Sequence, residues 1–165
     1  MIQMHPPSNF TELTDWFGDI ARYTAEDGTL LPSWEERYIA RINLPEPVPY
    51  AFDPKVSITR VTVHVALADV VRRMYWKIHD AGMFPALGPY GGGYQYRANR
   101  NDHTRVSLHA WGLAWDWDPE KFPNHSKATR EPKLVEITSQ FGMRWGEVFQ
   151  HPDPMHMSFS TGAIG

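Results

Sequence analysis

Four side chains in the second half of the chain are of the types that a hydrolytic metal site needs: His109, Asp116, Asp153 and His156. Catalytic zinc takes three protein ligands from His, Asp or Glu, keeps one position open for water, and works beside a carboxylate that is not itself a ligand. His109, Asp116 and His156 are candidates for the first set and Asp153 for the carboxylate. The three-residue step from Asp153 to His156, across the bend forced by Pro152 and Pro154, brings base and ligand to one edge of such a site. Each group also has a bland explanation. A strand histidine is often satisfied within the core, and an aspartate between two prolines is a common turn residue. The helical signature His-Glu-x-x-His is absent, so on spacing alone the metal and structural readings both stand.

His109 and Asp116 share the run Ser107 to Asp118, Ser-Leu-His-Ala-Trp-Gly-Leu-Ala-Trp-Asp-Trp-Asp, whose small and aromatic residues predict an extended, buried strand. Leu113, Trp115 and Trp117 alternate with Ala114, Asp116 and Asp118, so a period of two places Asp116 opposite the tryptophans. Gly112 and Ala114 leave room beside that carboxylate. The tryptophans, with Trp145, read as core and cleft wall.

The elements that must position these groups follow from periodicity and punctuation. Asn9 with Glu12 forms a capping box, and Phe10, Leu13, Phe17 and Ile20 predict a helix over 10–23. Ser33 with Glu36 predicts a second, ending near Asn43, followed by an extended proline connector over 44–54. Val63, Leu67, Val70, Val71, Met74 and Ile78 predict the longest helix, capped by Gly82. The glycine-rich run 88–93 lacks the Lys-Ser/Thr ending of a P-loop, which argues against nucleotide binding. Residues 124–130 read as a polar surface loop, and Pro132, Leu134, Ile137 and Phe141 as a last helix closed by Gly142. Residues 143–146 and 155–159 read as two short strands joined by a loop holding His151, Asp153 and His156. The expected fold class is α+β, a small, mainly antiparallel sheet flanked by helices.

Composition narrows the chemistry. With no cysteine there is no thiolate ligand and no disulfide, so a transition metal must rely on imidazole and carboxylate, which eight histidines make feasible. A net charge of −3 without basic clusters points to no nucleic-acid and no membrane partner. At 165 residues, 1–165 reads as a single domain, expected to be a monomer. Residues 1–8 carry no basic region followed by an apolar run, which predicts cytoplasmic synthesis.

The pattern Ser107-x-His109-x-x-Gly112-x-Ala114-x-Asp116, then Trp145-Gly146 and Asp153-x-x-His156, resembles the M15 family of zinc peptidases. That family includes D-Ala-D-Ala carboxypeptidases and dipeptidases and the L-alanyl-D-glutamate endopeptidases of phage endolysins. The likeness spans about residues 61–159 and implies the M15, hedgehog-like zinc peptidase fold. It further implies that His109, Asp116 and His156 bind Zn2+ and that Asp153 is the general base. Aspartate at 153, where many carboxypeptidase members have glutamate, is similar to the phage endopeptidase branch. Arg97 looks like the family arginine that precedes the metal motif and faces substrate, and Arg100 stands where related sequences often have another; the bland alternative pairs Arg97 with Asp102 or Glu147. Ser107 is expected to hold a substrate backbone group or the loop before His109, Trp145 to border the substrate, and His151 to be a transition-state donor, a loop residue or an alternative ligand.

The implied activity is cleavage of the stem peptide of bacterial peptidoglycan, by a phage-type endolysin reaching the wall after release from the cytoplasm. A D,D-carboxypeptidase or dipeptidase is the related alternative. A non-catalytic zinc-containing wall-binding module and a non-haem iron oxygenase are the others, although the latter usually has its carboxylate two residues after the first histidine, where this chain has Trp111.

Overall fold

The computed structural model describes residues 4–100 and 102–164. Asn9 caps helix α1 (Phe10–Phe17) by accepting from the Glu12 N–H, while the Glu12 carboxylate turns back to Ser8 instead of closing a box on Asn9. The helix stops short of residue 23. Gly18, at φ 92°, ends it where a Cβ would lie 2.7 Å from the Tyr38 ring, and a 3-10 turn covers Ile20–Tyr23. Helix α2 (Pro32–Tyr38) begins on a proline in place of the expected Ser33 box and gives way at once to strand β1 (Ile39–Tyr50).

That strand is the main departure from the sequence pattern. The expected helix end at Asn43 lies in β1, and the proline connector runs from β1 through the turn into β2 (Asp53–His64), with which β1 forms a hairpin. Five residue steps on β1, Asn43 to Val48, oppose two on β2, Arg60 to Ile58. The bulge contains Pro45 and Pro47, which cannot donate to a ladder and are tolerated where it is interrupted. Val63 belongs to the end of β2, so helix α3 (Ala68–Asp80) starts later than the apolar period implies, after a 3-10 turn at Val65–Leu67; Gly82, at φ 69°, ends it as expected.

Strands β3 (Tyr90–Gly92), β4 (Ala114–Trp117), β5 (Arg144–Gly146) and β6 (Asp153–Ser158) complete one sheet in the order β2-β1-β3-β4-β6-β5. Every pairing is antiparallel except that of β1 with β3. With helix α4 (Pro132–Ser139), the molecule is the expected α+β fold. Strand β4 is buried on both faces, its tryptophans among the core side chains. No helix among the described residues is long and apolar enough to cross a membrane.

The expected surface loop at 124–130 ends on a buried residue. The Arg130 guanidinium lies over the rings of Phe122 and Trp145, 3.7 and 4.3 Å from their centroids, and donates to the carbonyls of Leu87, Trp117 and Pro154. Its charge is stabilised by these acceptors, although burial pulls its pKa down to about 10.

His64 joins the N-terminal helices to the sheet. Its Nε2–H donates to the Phe17 carbonyl at 3.0 Å, and Nδ1 accepts from the Ala66 N–H at 3.1 Å, which defines a neutral tautomer. Burial lowers its pKa from 6.5 to about 4. The unfolded chain therefore binds this proton more readily, and the stability that neutral His64 supports is complete above pH 6.5 and lost as pH falls toward 4. Between about pH 7 and 4, the gap in unfolding free energy between wild type and His64→Gln should narrow by up to about 3 kcal/mol. Urea titrations of both proteins across that range check it; a constant gap contradicts it.

Candidate metal centre

The stretch around His109 is not the continuous strand its composition implies. Leu108–Trp111 form a 3-10 turn, Gly112 turns the chain at φ 67°, and only then does β4 begin. A Cβ at Gly112 would lie 2.7 Å from the His64 backbone nitrogen, so side chains other than hydrogen are excluded there. Two indoles pin the turn: Trp34 Nε1 donates to the Ala110 carbonyl at 3.2 Å and Trp111 Nε1 to the Gly18 carbonyl at 2.9 Å. Ser107 caps it, its Oγ accepting from the His109 N–H at 3.4 Å. The N-terminal third thus supports the site from behind.

Strand register supplies the rest. Asp116 on β4 and His156 on β6 are directly opposed in an antiparallel ladder, so their side chains share one face. His109 meets them from the 3-10 turn, its Nδ1–H donating to the Gly93 carbonyl at 2.8 Å and leaving Nε2 as a lone pair facing the other two. His109 Nε2, His156 Nδ1 and Asp116 Oδ1 form a triangle with edges of 3.2, 3.2 and 3.4 Å.

The donor set fits a tetrahedral metal. Ligands at about 2.0–2.1 Å from a tetrahedral zinc lie about 3.3 Å from one another, which is the size of this triangle. Protonation points the same way. Burial holds His109 below its ordinary pKa, though Asp116 opposes this; burial would raise Asp116, but the two imidazoles outweigh it and keep the carboxylate ionised. Three acceptor atoms therefore converge in a buried place with no proton available for each contact, an arrangement that a cation satisfies. Among the described residues this is the group of histidines and carboxylates whose geometry could hold a metal ion.

Asp153 lies on β6 itself, not in the loop expected for it, and three residues from His156 a regular strand would turn it to the other face. The ladder of β5 with β6 shifts between Trp145, opposite Met157, and Gly146, opposite Asp153; this irregularity lets Asp153 share a cavity with His156. Arg97, Asn99, Arg100, Ser107 and Phe149 complete that cavity's lining. Burial raises the Asp153 pKa, assisted by Asp116 and opposed by His156, and its Oδ1 has no hydrogen-bond partner among the described residues. Burial and the nearby Arg100 lower Arg97's pKa, and its Nε is also buried without a partner among the described residues, while Nη1 donates to the Ala98 carbonyl. Asp102 pairs with Arg105 and Glu147 accepts from the Arg130 N–H, so neither takes up Arg97 as the bland alternative required.

Two expected substrate contacts lie elsewhere. Trp145 is buried, with Nε1 donating to Thr138 Oγ1 at 3.1 Å and its ring under Arg130, so it does not border the cavity. His151 is exposed on the loop before β6 and lies outside both the triangle and the cavity lining. Phe149, by contrast, was not foreseen: its ring sits 5.9 Å from that of His156 at the cavity wall. A lone phenylalanine near a chain end carries no signal that distinguishes it from core.

Residues 100–159 match the family model for peptidase M15, D-alanyl-D-alanine carboxypeptidase. Over this segment the chain is similar to the M15 peptidases. The M15 match holds the triangle, Asp153, Arg100 and Ser107, while Arg97 precedes it. No curated protein and no solved structure gives a significant match to the chain.

Divalent metal added to chelator-treated protein should raise its Tm by several degrees, as expected for a ligand that binds only the folded state. His156→Ala should abolish the rise. Equal shifts in wild type and variant would contradict the assignment. Gly112→Ala should lower stability by about 2 kcal/mol or more through the left-handed backbone and the contact with His64, measured by denaturant unfolding.

Proposed function

We propose that the chain is a zinc-dependent peptidoglycan hydrolase that cuts the stem peptide of bacterial cell wall, as a phage-type endolysin endopeptidase. The observation that carries this reading is the buried triangle of His109, Asp116 and His156 beside Asp153, whose Oδ1 has no partner among the described residues, within the segment that matches the M15 model. A metal held by the triangle supplies an acidified water near neutral pH and a Lewis acid for the amide carbonyl.

The remaining work falls to side chains. Asp153 takes the proton of the attacking water and delivers it to the departing amine; a carboxyl whose pKa is raised by burial is suited to both halves of that transfer. Arg97 offers a planar cationic fork to a substrate carboxylate or to the charge that develops on the carbonyl oxygen, and Arg100 adds a second cation at the same wall. His109 and His156 would each offer the metal a ring nitrogen, with Gly93 holding the His109 ring. Ser107 serves by capping the turn that carries His109, its Oγ accepting from the His109 N–H.

A D,D-carboxypeptidase of the same family is the second reading, favoured by the description of the matching model and by two arginines able to receive a terminal carboxylate. Mass spectrometry of muropeptides distinguishes them: new internal amines mark the endopeptidase, loss of terminal alanine the carboxypeptidase, and intact stems with zinc-loaded protein contradict both. Asp153→Asn should lower kcat by about 10²–10⁴-fold while keeping metal content and Tm. In wild type the acid limb of kcat/KM should fall above the usual aspartate range, because Asp153 must be ionised to accept a proton and its pKa is raised. A pH profile with a limb at or below an ordinary aspartate contradicts that role.

A further inference from the structure

The β4–β6 ladder runs through Ala114↔Ser158, Trp115↔Met157 and Asp116↔His156, and its register ends there. The metal-binding pair thus occupies the last rung. Beyond it, the Arg130 guanidinium joins the two strands: Nη2 donates to the carbonyl of Trp117, the residue after Asp116, and Nε donates at 2.9 Å to the carbonyl of Pro154, the residue after Asp153. Its Nη1 reaches the Leu87 carbonyl at 3.3 Å, and Phe122 and Trp145 fix the plane of the fork. Arg130 is 2 % exposed, so these contacts are not exchanged with solvent. On its other side, Asp153 abuts Gly146, where any Cβ would lie 2.3 Å from the Asp153 carbonyl oxygen.

We propose that Arg130 is the positioning residue for Asp153, standing in for the missing rung and setting where the acid–base carboxylate lies relative to the metal triangle. The proposal rests on the peptidase reading above. Its particular content is a separation of tasks. The three ligands are fixed by the ladder, the indole-pinned turn and Gly93, whereas Asp153 lies where β6 has left its regular register and depends on the guanidinium bridge. A lysine could serve one carbonyl at a time and has no planar fork to lie between two rings.

Arg130→Lys, loaded with zinc, tests it. Misplacement of a catalytic group by about 1 Å costs about 10²-fold. Turnover of stem peptide should therefore show kcat reduced about 10–100-fold, with KM and the zinc Kd from chelator competition within about 3-fold of wild type. The visible spectrum of the cobalt-substituted protein should be unchanged, and amide exchange at Asp153 and Met155 should accelerate. Val71→Ala, which loosens the buried face of α3, should lower Tm with kcat retained, showing that lost stability alone does not reproduce the effect. Should the lysine variant not fold, Arg130→Gln, which keeps a planar donor group, gives the same readouts. Unchanged kcat, or zinc affinity lost in step with kcat, overturns the proposal. An inactive wild type would sink the peptidase reading, whereas unchanged exchange at Asp153 in active protein sinks only the role of Arg130.

Discussion

The site depends on one rung of one ladder. Asp116 and His156 come together because β4 and β6 are antiparallel and in the register that opposes those two residues. A slip by one residue would turn one of the side chains to the other face of the sheet and dismantle the triangle. Much of the surrounding construction serves to prevent that slip. Strand β4 is buried on both faces, Trp115 Nε1 is bonded to the Thr62 carbonyl at 3.0 Å, and Arg130 ties the strand ends beyond the rung. Large indoles in a close-packed interior resist displacement, because any shift leaves both a void and an unpaired donor.

The electrostatics follow from that enforced proximity. Two imidazoles and a carboxylate lie within 3.4 Å of one another in a buried place, and the His109 Nδ1–H is already committed to Gly93, so the triangle holds fewer protons than contacts. The folded polypeptide therefore presents a group that could hold a cation, and the Gly93 carbonyl determines which His109 nitrogen faces it. Asp153 and Arg97 surround the same space with the opposite property: Asp153 Oδ1 and Arg97 Nε are stripped of water and have no partner among the described residues, so that their hydrogen bonding is available to a bound molecule.

The chemistry was more legible in the sequence than the framework was. His109, Asp116 and His156 stood out by type, and the structure brings them together. Asp153 was recognisable beside them, but its place on a strand was hidden because Pro152 and Pro154 signal a turn. The β1–β2 hairpin is hidden for the same reason: Pro45, Pro47 and Pro49 read as a connector, and only the pairing partner reveals the bulge that holds Pro45 and Pro47 and the register shift that follows Pro49. Ser107 to Trp111 looked extended since a 3-10 turn of four residues has no periodicity of its own. Arg130 ended a polar stretch, and nothing local distinguishes an arginine bound for the surface from one whose three acceptors lie 13, 24 and 43 residues away.

The central claim is that His109, Asp116 and His156 jointly hold one zinc ion. X-ray absorption at the zinc edge of the loaded protein addresses it directly. The account predicts a four-coordinate shell of nitrogen and oxygen at about 2.0–2.1 Å, with the outer-shell scattering of two imidazoles. A shell with one imidazole or none, or one unchanged when His109 and His156 are replaced, would contradict it.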